Sequence, residues 1–168
     1  MSGVHLVVMG VAGCGKSALG ERLAEALRLP LIEGDSFHCA DNIEKMQQGV
    51  ALTDQDRAGW LQRLGAELSS QASGAVLTCS ALKRSYRDIL RQAAPNLHFV
   101  HLALSQEDAL QRVASRESHF YPPSLVASQF EALEDPAGEP GVLAVDARLP
   151  VDVLTRQTLD AFELPAGD

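Results

Sequence analysis

The chain has 168 residues, 46% of them hydrophobic and 21% charged, with a formal net charge of −8. That length suits one domain with a substantial core, and the composition excludes a disordered chain. The acidic balance excludes a general nucleic-acid binder, which needs a basic face for phosphate backbone, but leaves room for a local basic site that takes one small anion.

Val4–Met9 is a compact apolar run that predicts a buried strand. Residues 17–27 follow with Leu19, Leu23, Ala26 and Leu27 at helical spacing. Further short apolar runs at 31–32, 75–79, 97–104 and 142–145 predict four more strands. Helical patterns fall around 41–49, 54–71, 84–93, 106–117, 123–133 and 151–162. Strands alternating with helices imply a parallel sheet covered on both faces, hence a three-layer α/β sandwich with a five-stranded parallel sheet. No repeat, low-complexity tract or linker divides the chain, so residues 1–168 are expected to form a single domain. No apolar run approaches the roughly 18 residues of a membrane span. The opening MSGVHLVVMG lacks the basic region and cleavage site of a signal peptide. Cys14, Cys39 and Cys79 form no CxxC pair, as expected for reduced thiols in a cytoplasmic protein.

The strongest motif joins the first strand to the first helix. Gly10, Val11, Ala12, Gly13, Cys14, Gly15, Lys16 and Ser17 spell G-x-x-x-x-G-K-[ST]. Its glycines let the backbone curl, so that successive N–H groups and the helix N-terminus face phosphates. Lys16 is expected to bridge the β- and γ-phosphates and the Ser17 hydroxyl to hold Mg²⁺, with Ala18 completing the ATP-binding stretch. Cys14 reads as filler rather than as a nucleophile.

The second strand ends in Glu33, Gly34 and Asp35, with His38 three residues on. Ligands of open α/β sheets sit beyond the carboxyl ends of strands, so these side chains are expected in the cleft that holds the phosphate loop. Asp35 can accept a proton from an attacking hydroxyl or orient it; its other use is a helix cap or Asx turn. Glu33 can reach Mg²⁺ through water. Thr53 and Asp56 are spaced like a capping box, and the first-turn acids suit the helix dipole, whereas Arg57 opposes it. That misplacement points to an anionic substrate, the plainer reading being a pair with Asp54 or Asp56.

Beyond the third strand, Lys83, Arg84, Arg87 and Arg91 begin another helix, three of them on one face. They suit a substrate carboxylate or phosphate, the alternative being a solvated face with an Arg84–Asp88 pair. Arg112 and Arg116 stand four apart before Pro122 and Pro123, which stop a helix, and this predicts a short lid at about 116–124 that closes over ATP.

In these motifs the chain resembles the gluconokinases of the thermoresistant, adenylate-kinase-like type. The resemblance rests on Glu33-Gly34-Asp35-Ser36-Phe37-His38, Asn42 to Met46, Asp54-x-Asp56-Arg57 with Trp60-Leu61, Cys79 to Arg84 with Tyr86-Arg87, and His119-Phe120 with Ser128-Gln129-Phe130. It implies a P-loop, nucleoside-monophosphate-kinase-like fold, a homodimer, and transfer from ATP to D-gluconate giving 6-phosphogluconate and ADP. It also implies that Asp35 is the base for the C6 hydroxyl and that residues 36–70 supply the substrate-binding helices. By the same resemblance His38, Arg57, Lys83, Arg84, Arg87 and Gln129 hold the acceptor, Arg112 lies against adenine and Arg116 touches phosphate. Cys39, Ala51 and Gly59 stand where the family often has proline, and Ser118 where it often has glycine; lost prolines loosen loops. Shikimate kinase is the rival within the fold, but it needs Asp-x-Asp where this chain has Glu33-Gly34-Asp35. A nucleotide-switch protein is the rival from another class, and it leaves Arg57, Lys83 and Arg84 unemployed.

Overall fold

The computed structural model describes residues 3–115 and 124–164. Strands β1 (Val4–Met9), β2 (Leu31–Glu33), β3 (Gly74–Thr78), β4 (His98–Ala103) and β5 (Val142–Asp146) form one sheet in the order β2-β3-β1-β4-β5. Every pairing in it is parallel. The α-helices between and after them are α1 (Lys16–Leu27), α2 (Ala40–Gln47), α3 (Asp54–Ser70), α4 (Arg84–Ala93), α5 (Gln106–Ser115), α6 (Ser124–Ala132) and α7 (Val151–Ala161). The sheet and its alternation with helices are as the hydrophobic pattern predicts. A 3-10 turn over Gly34–Phe37 is additional; four residues are too few to carry a period. The expected lid and Arg116 lie outside the described residues, apart from Ser124 at the start of α6. Among the described residues no helix is long and apolar enough to cross a membrane.

Side chains alternate across a strand, and β1 feeds two separate cores. Leu6 and Val8 join Leu19, Leu23, Val76, Val100 and Leu154 on one face, while Val7 and Met9 join Leu61, Leu64, Leu77, Leu90 and Phe99 on the other. Each strand end therefore emerges between two packed layers, and the loops that follow have a rigid base.

One of those loops is held by an arginine that was expected to bind substrate. Arg87 on α4 is fully buried. Its Nη1 donates to the carbonyls of Ala81 (2.7 Å) and Leu82 (3.1 Å), and its Nη2 to that of Glu134 (3.0 Å). Its Nε and Nη2 also donate to the Glu139 carboxylate at 2.9 and 2.6 Å, and Arg91 adds a second cation to Glu139 at 2.9 Å. Ala81 has φ of 47°, a left-handed conformation costly for a residue with a Cβ, and its carbonyl is one of those that Arg87 grips. Arg87 thus clamps the turn after β3 to the segment after α6, and its donors are spent inside the protein.

Removing such a donor leaves buried acceptors without partners. Arg87→Met is expected to lower the free energy of unfolding in urea by about 3–5 kcal/mol. Arg84→Met, on the exposed side of the same helix, is expected to change it by less than about 0.5 kcal/mol. Equal effects of the two substitutions would remove Arg87 from this role.

Candidate active site

The phosphate loop leaves β1 at Met9 and enters α1 at Lys16. Gly15 has φ of 98°, which an L side chain rarely adopts, and this turns the backbone so that α1 opens toward the cleft. Lys16 Nζ folds back on the loop, donating to the carbonyls of Gly10 (3.0 Å) and Val11 (3.2 Å). The loop thus keeps its cation by its own carbonyls. Cys14 is buried beneath it, and burial pushes its thiol pKa up, which suits packing and not nucleophilic attack.

At the neighbouring strand end, Gly34 passes so close to β3 that an added Cβ would lie 2.1 Å from the Thr78 carbonyl oxygen. The Gly34 N–H donates to Thr78 Oγ1 (3.3 Å), and that hydroxyl donates to Glu33 Oε2 at 2.6 Å. Ser17 Oγ donates to the same carboxylate oxygen at 3.1 Å. Ser17 and Glu33, the two residues expected at a metal, are therefore in contact. Thr78 completes the group; its only sequence signal is a hydroxyl ending the apolar strand GAVLT.

A cavity of about 240 Å³ opens between the loop and the acceptor-side helices. Lys16, Ser17 and Ala18 line it, with Asp35, His38, Arg57, Ser80 and Gln129. Arg57 is only 8% exposed, its Nε has no hydrogen-bond partner among the described residues, and its guanidinium lies 5.5 Å over the Tyr86 ring. It forms no ion pair with Asp54 or Asp56 among the described residues, so the plainer reading of this residue fails. Asp56 instead closes the capping box with Thr53 and pairs with Lys45 at 2.9 Å. Those contacts, first the Thr53 backbone N–H and then Lys45, hold the Asp56 pKa down at about 2.

Three of the other expected acceptor cations are placed elsewhere. Lys83 sits on Asp54 at 2.9 Å, which also accepts from the Tyr86 hydroxyl. Arg84 points to solvent 3.9 Å from Asp88, the surface pairing that its spacing allowed. Arg87 is the internal clamp described above. None of the three lines the cavity. Gln129 does, but its Oε1 accepts from the Ala12 N–H of the phosphate loop at 2.5 Å, so it braces the nucleotide side. Arg112 donates to the carbonyls of Gly13 (3.2 Å), Cys14 (3.4 Å) and Ala147 (3.0 Å), joining the loop to the turn after β5.

Known proteins bear on this arrangement. The family model described as an AAA domain matches residues 6–140. The thermosensitive gluconokinase of Escherichia coli K12 is 41% identical over 165 residues, covering 96% of this chain and 88% of that protein. The chain belongs to the gluconokinase family. The gluconokinase of Gluconobacter oxydans is 43% identical over 161 residues, covering 94% of this chain and 90% of that one. A crystal structure of a gluconokinase from Sinorhizobium meliloti 1021 superposes with a TM-score of 0.88 at 47% identity, covering 95% and 91% of the two chains.

Two residues that entered only as part of the family's motifs, Trp60 and Asn42, shape the acceptor side. Trp60 stacks on His38 with ring centroids 4.1 Å apart and donates from Nε1 to the Gly34 carbonyl at 2.8 Å. Asn42, buried, touches His38 and the backbone of Asp56. Burial lowers the His38 pKa to about 4 from an ordinary 6.5, with Asp35 opposing and Arg57 reinforcing the shift. The unfolded chain therefore binds the extra proton between those values, and stability is expected to fall as the pH drops from about 6.5 to about 4. His98 and His101, also lowered by burial, act in the same direction. His38→Gln is expected to flatten that part of a urea-unfolding series against pH, and an unchanged slope would mean that the ring titrates normally.

Proposed function

We propose that the chain catalyses ATP-dependent phosphorylation of D-gluconate at the C6 hydroxyl, giving 6-phosphogluconate and ADP. The observation that carries this reading is a cavity lined by the phosphate loop, the Asp35 carboxylate and a buried guanidinium, Arg57, whose Nε lacks a partner among the described residues. A buried donor without a partner is costly, and a ligand carboxylate relieves that cost. Membership of the gluconokinase family supports the choice of acid.

In this reading the phosphate loop, residues 10–18, cradles the phosphates with backbone N–H groups other than those of Gly10 and Ala12, which donate to Ser80 and Gln129. Lys16 exchanges its carbonyl partners at Gly10 and Val11 for phosphate oxygens. Asp35 takes the proton of the C6 hydroxyl as the new O–P bond forms and the bond to ADP breaks. Arg57 holds the far carboxylate, which fixes the acceptor end to end and makes the attack effectively intramolecular. Arg112 lies against adenine, and Arg116 completes the phosphate contacts.

Ser17 and Glu33 offer hard oxygen donors side by side, a set that fits Mg²⁺, which takes few protein ligands and keeps phosphate and water oxygens. When bound, the ion neutralises charge on the β- and γ-phosphates. Cytoplasmic residence and a homodimer belong to the same proposal; light scattering of the purified protein checks the second.

A coupled assay tests the reaction: ATP turnover is expected with gluconate and with neither shikimate nor AMP, and the reverse pattern would replace the acceptor. Asp35→Asn is expected to lower kcat by about 10²–10⁴ with little change in the KM for ATP. Parallel losses in both would count against a base. Arg57→Ala is expected to raise the KM for gluconate by about tenfold or more, and Arg57→Lys not to restore it, since the ammonium cannot grip a carboxylate with two parallel bonds. An unchanged acceptor KM would return Arg57 to a packing role.

A further inference from the structure

The ring nitrogens of His38 are not equivalent, and their surroundings decide which carries the proton. Asn42 is 3% exposed, and its Nδ2 lies 2.9 Å from the Asp56 carbonyl oxygen. A carbonyl oxygen only accepts, so the amide nitrogen and not the amide oxygen must face it. The same nitrogen lies 3.4 Å from His38 Nδ1. Its second hydrogen points there, and Nδ1 must be the acceptor. In a neutral ring the proton is then on Nε2. Burial, which lowers the pKa to about 4, keeps the ring neutral near pH 7.

Nε2 faces Asp35. The distance from Nε2 to Asp35 Oδ1 is 4.0 Å, too long for a direct hydrogen bond. Two hydrogen bonds of about 2.8 Å that meet on one oxygen span this gap with an angle of about 90° between them. Both groups line the cavity. The His38 ring cannot swing away, because it is stacked on Trp60 at an interplanar angle of 16° and its side chain is 3% exposed.

We propose that Asn42 sets the Nε2–H tautomer of His38, and that the attacking hydroxyl of the acceptor bridges His38 Nε2 and Asp35. The hydroxyl accepts from Nε2–H, which forbids it from aiming its own hydrogen there and leaves Asp35 as the receiver. Its remaining lone pair is free for phosphorus. Asn42 is a positioning residue, one step removed from the acceptor. The bridging part rests on the kinase reading above; the tautomer does not.

Nitrogen NMR of the full chain labelled in histidine tests the first part without any substrate. The expected spectrum has His38 protonated at Nε2, with the proton moved to Nδ1 in Asn42→Asp, whose carboxylate accepts from it. A proton on Nδ1 in the unsubstituted protein overturns the tautomer. Steady-state kinetics test the second part. His38→Phe keeps the stack on Trp60 and removes the donor, and is expected to lower kcat/KM for gluconate about 10–100-fold with the KM for ATP within about twofold. His38→Gln, whose amide nitrogen reaches the Nε2 position, is expected to recover most of that loss. His38→Phe within about twofold of the unsubstituted protein, or His38→Gln no better than His38→Phe, overturns the bridge alone. No gluconate turnover by the unsubstituted protein overturns the kinase reading and with it the bridge, while the tautomer is decided by the spectrum.

Discussion

Register across the first half of the sheet determines where everything else can go. Glu33 pairs with Thr78, and Thr78 pairs with Val8, so the ends of β2, β3 and β1 stand in one row. Two residues past Val8 the phosphate loop begins, and its first amide, that of Gly10, donates to the Ser80 carbonyl at 3.3 Å. A shift of one residue in this pairing would turn Leu6 and Val8 into the opposite core and carry Thr78 away from Glu33. Such a shift would force Val7 and Met9 into sites shaped for Leu6 and Val8, at a cost in packing on both faces. The chemistry at the sheet's edge therefore inherits its precision from apolar side chains that never touch it.

Arg57 and Arg87 show how the surroundings of a residue outweigh its type. Both are arginines near the start of a helix, both are buried, and both stand close to the turn after β3. Arg87 meets a carboxylate and backbone carbonyls that match the donors of its planar fork. Arg57 meets an aromatic face and the cavity, with Nε unsatisfied among the described residues. A guanidinium satisfied within the fold stabilises it; one left partly unsatisfied at a cavity is held ready for a ligand.

That contrast also explains what the sequence could and could not reveal. The strands were legible as short continuous apolar runs because each face of the sheet has its own core, and the repeat along α1 marks its single packed face. The phosphate loop was legible because its glycines, lysine and serine are needed at fixed spacing. The oddity of Arg57 was legible as a breach of a local rule. The Arg84–Asp88 pair was legible from its spacing of four, but the fates of Lys83 and Arg87 were not, because their partners lie 29 residues away in Asp54 and 52 residues away in Glu139. Thr78 carries no motif and Asn42 only a place in the family's pattern; their roles arise where distant segments meet, at separations of 45 and 14 residues.

The acidic protein and its anionic ligands are reconciled by distance. With a Debye length of about 8 Å at physiological ionic strength, the net charge of −8 spread over the surface is largely screened at the cavity. The potential there is set by groups within reach. Lys16 and Arg57 line the cavity, while Lys83 is neutralised by Asp54 just outside it. Asp56, the acid that could have quenched Arg57, is turned away by the capping box and by Lys45. The capping box thus acts at three removes. It fixes the first turn of α3, gives Asp56 another partner than Arg57, and offers the Asp56 carbonyl to Asn42, whose amide faces His38. A local helix-start signal, common in surface helices, here sets the charge and the hydrogen-bond polarity of the acceptor side of the cleft.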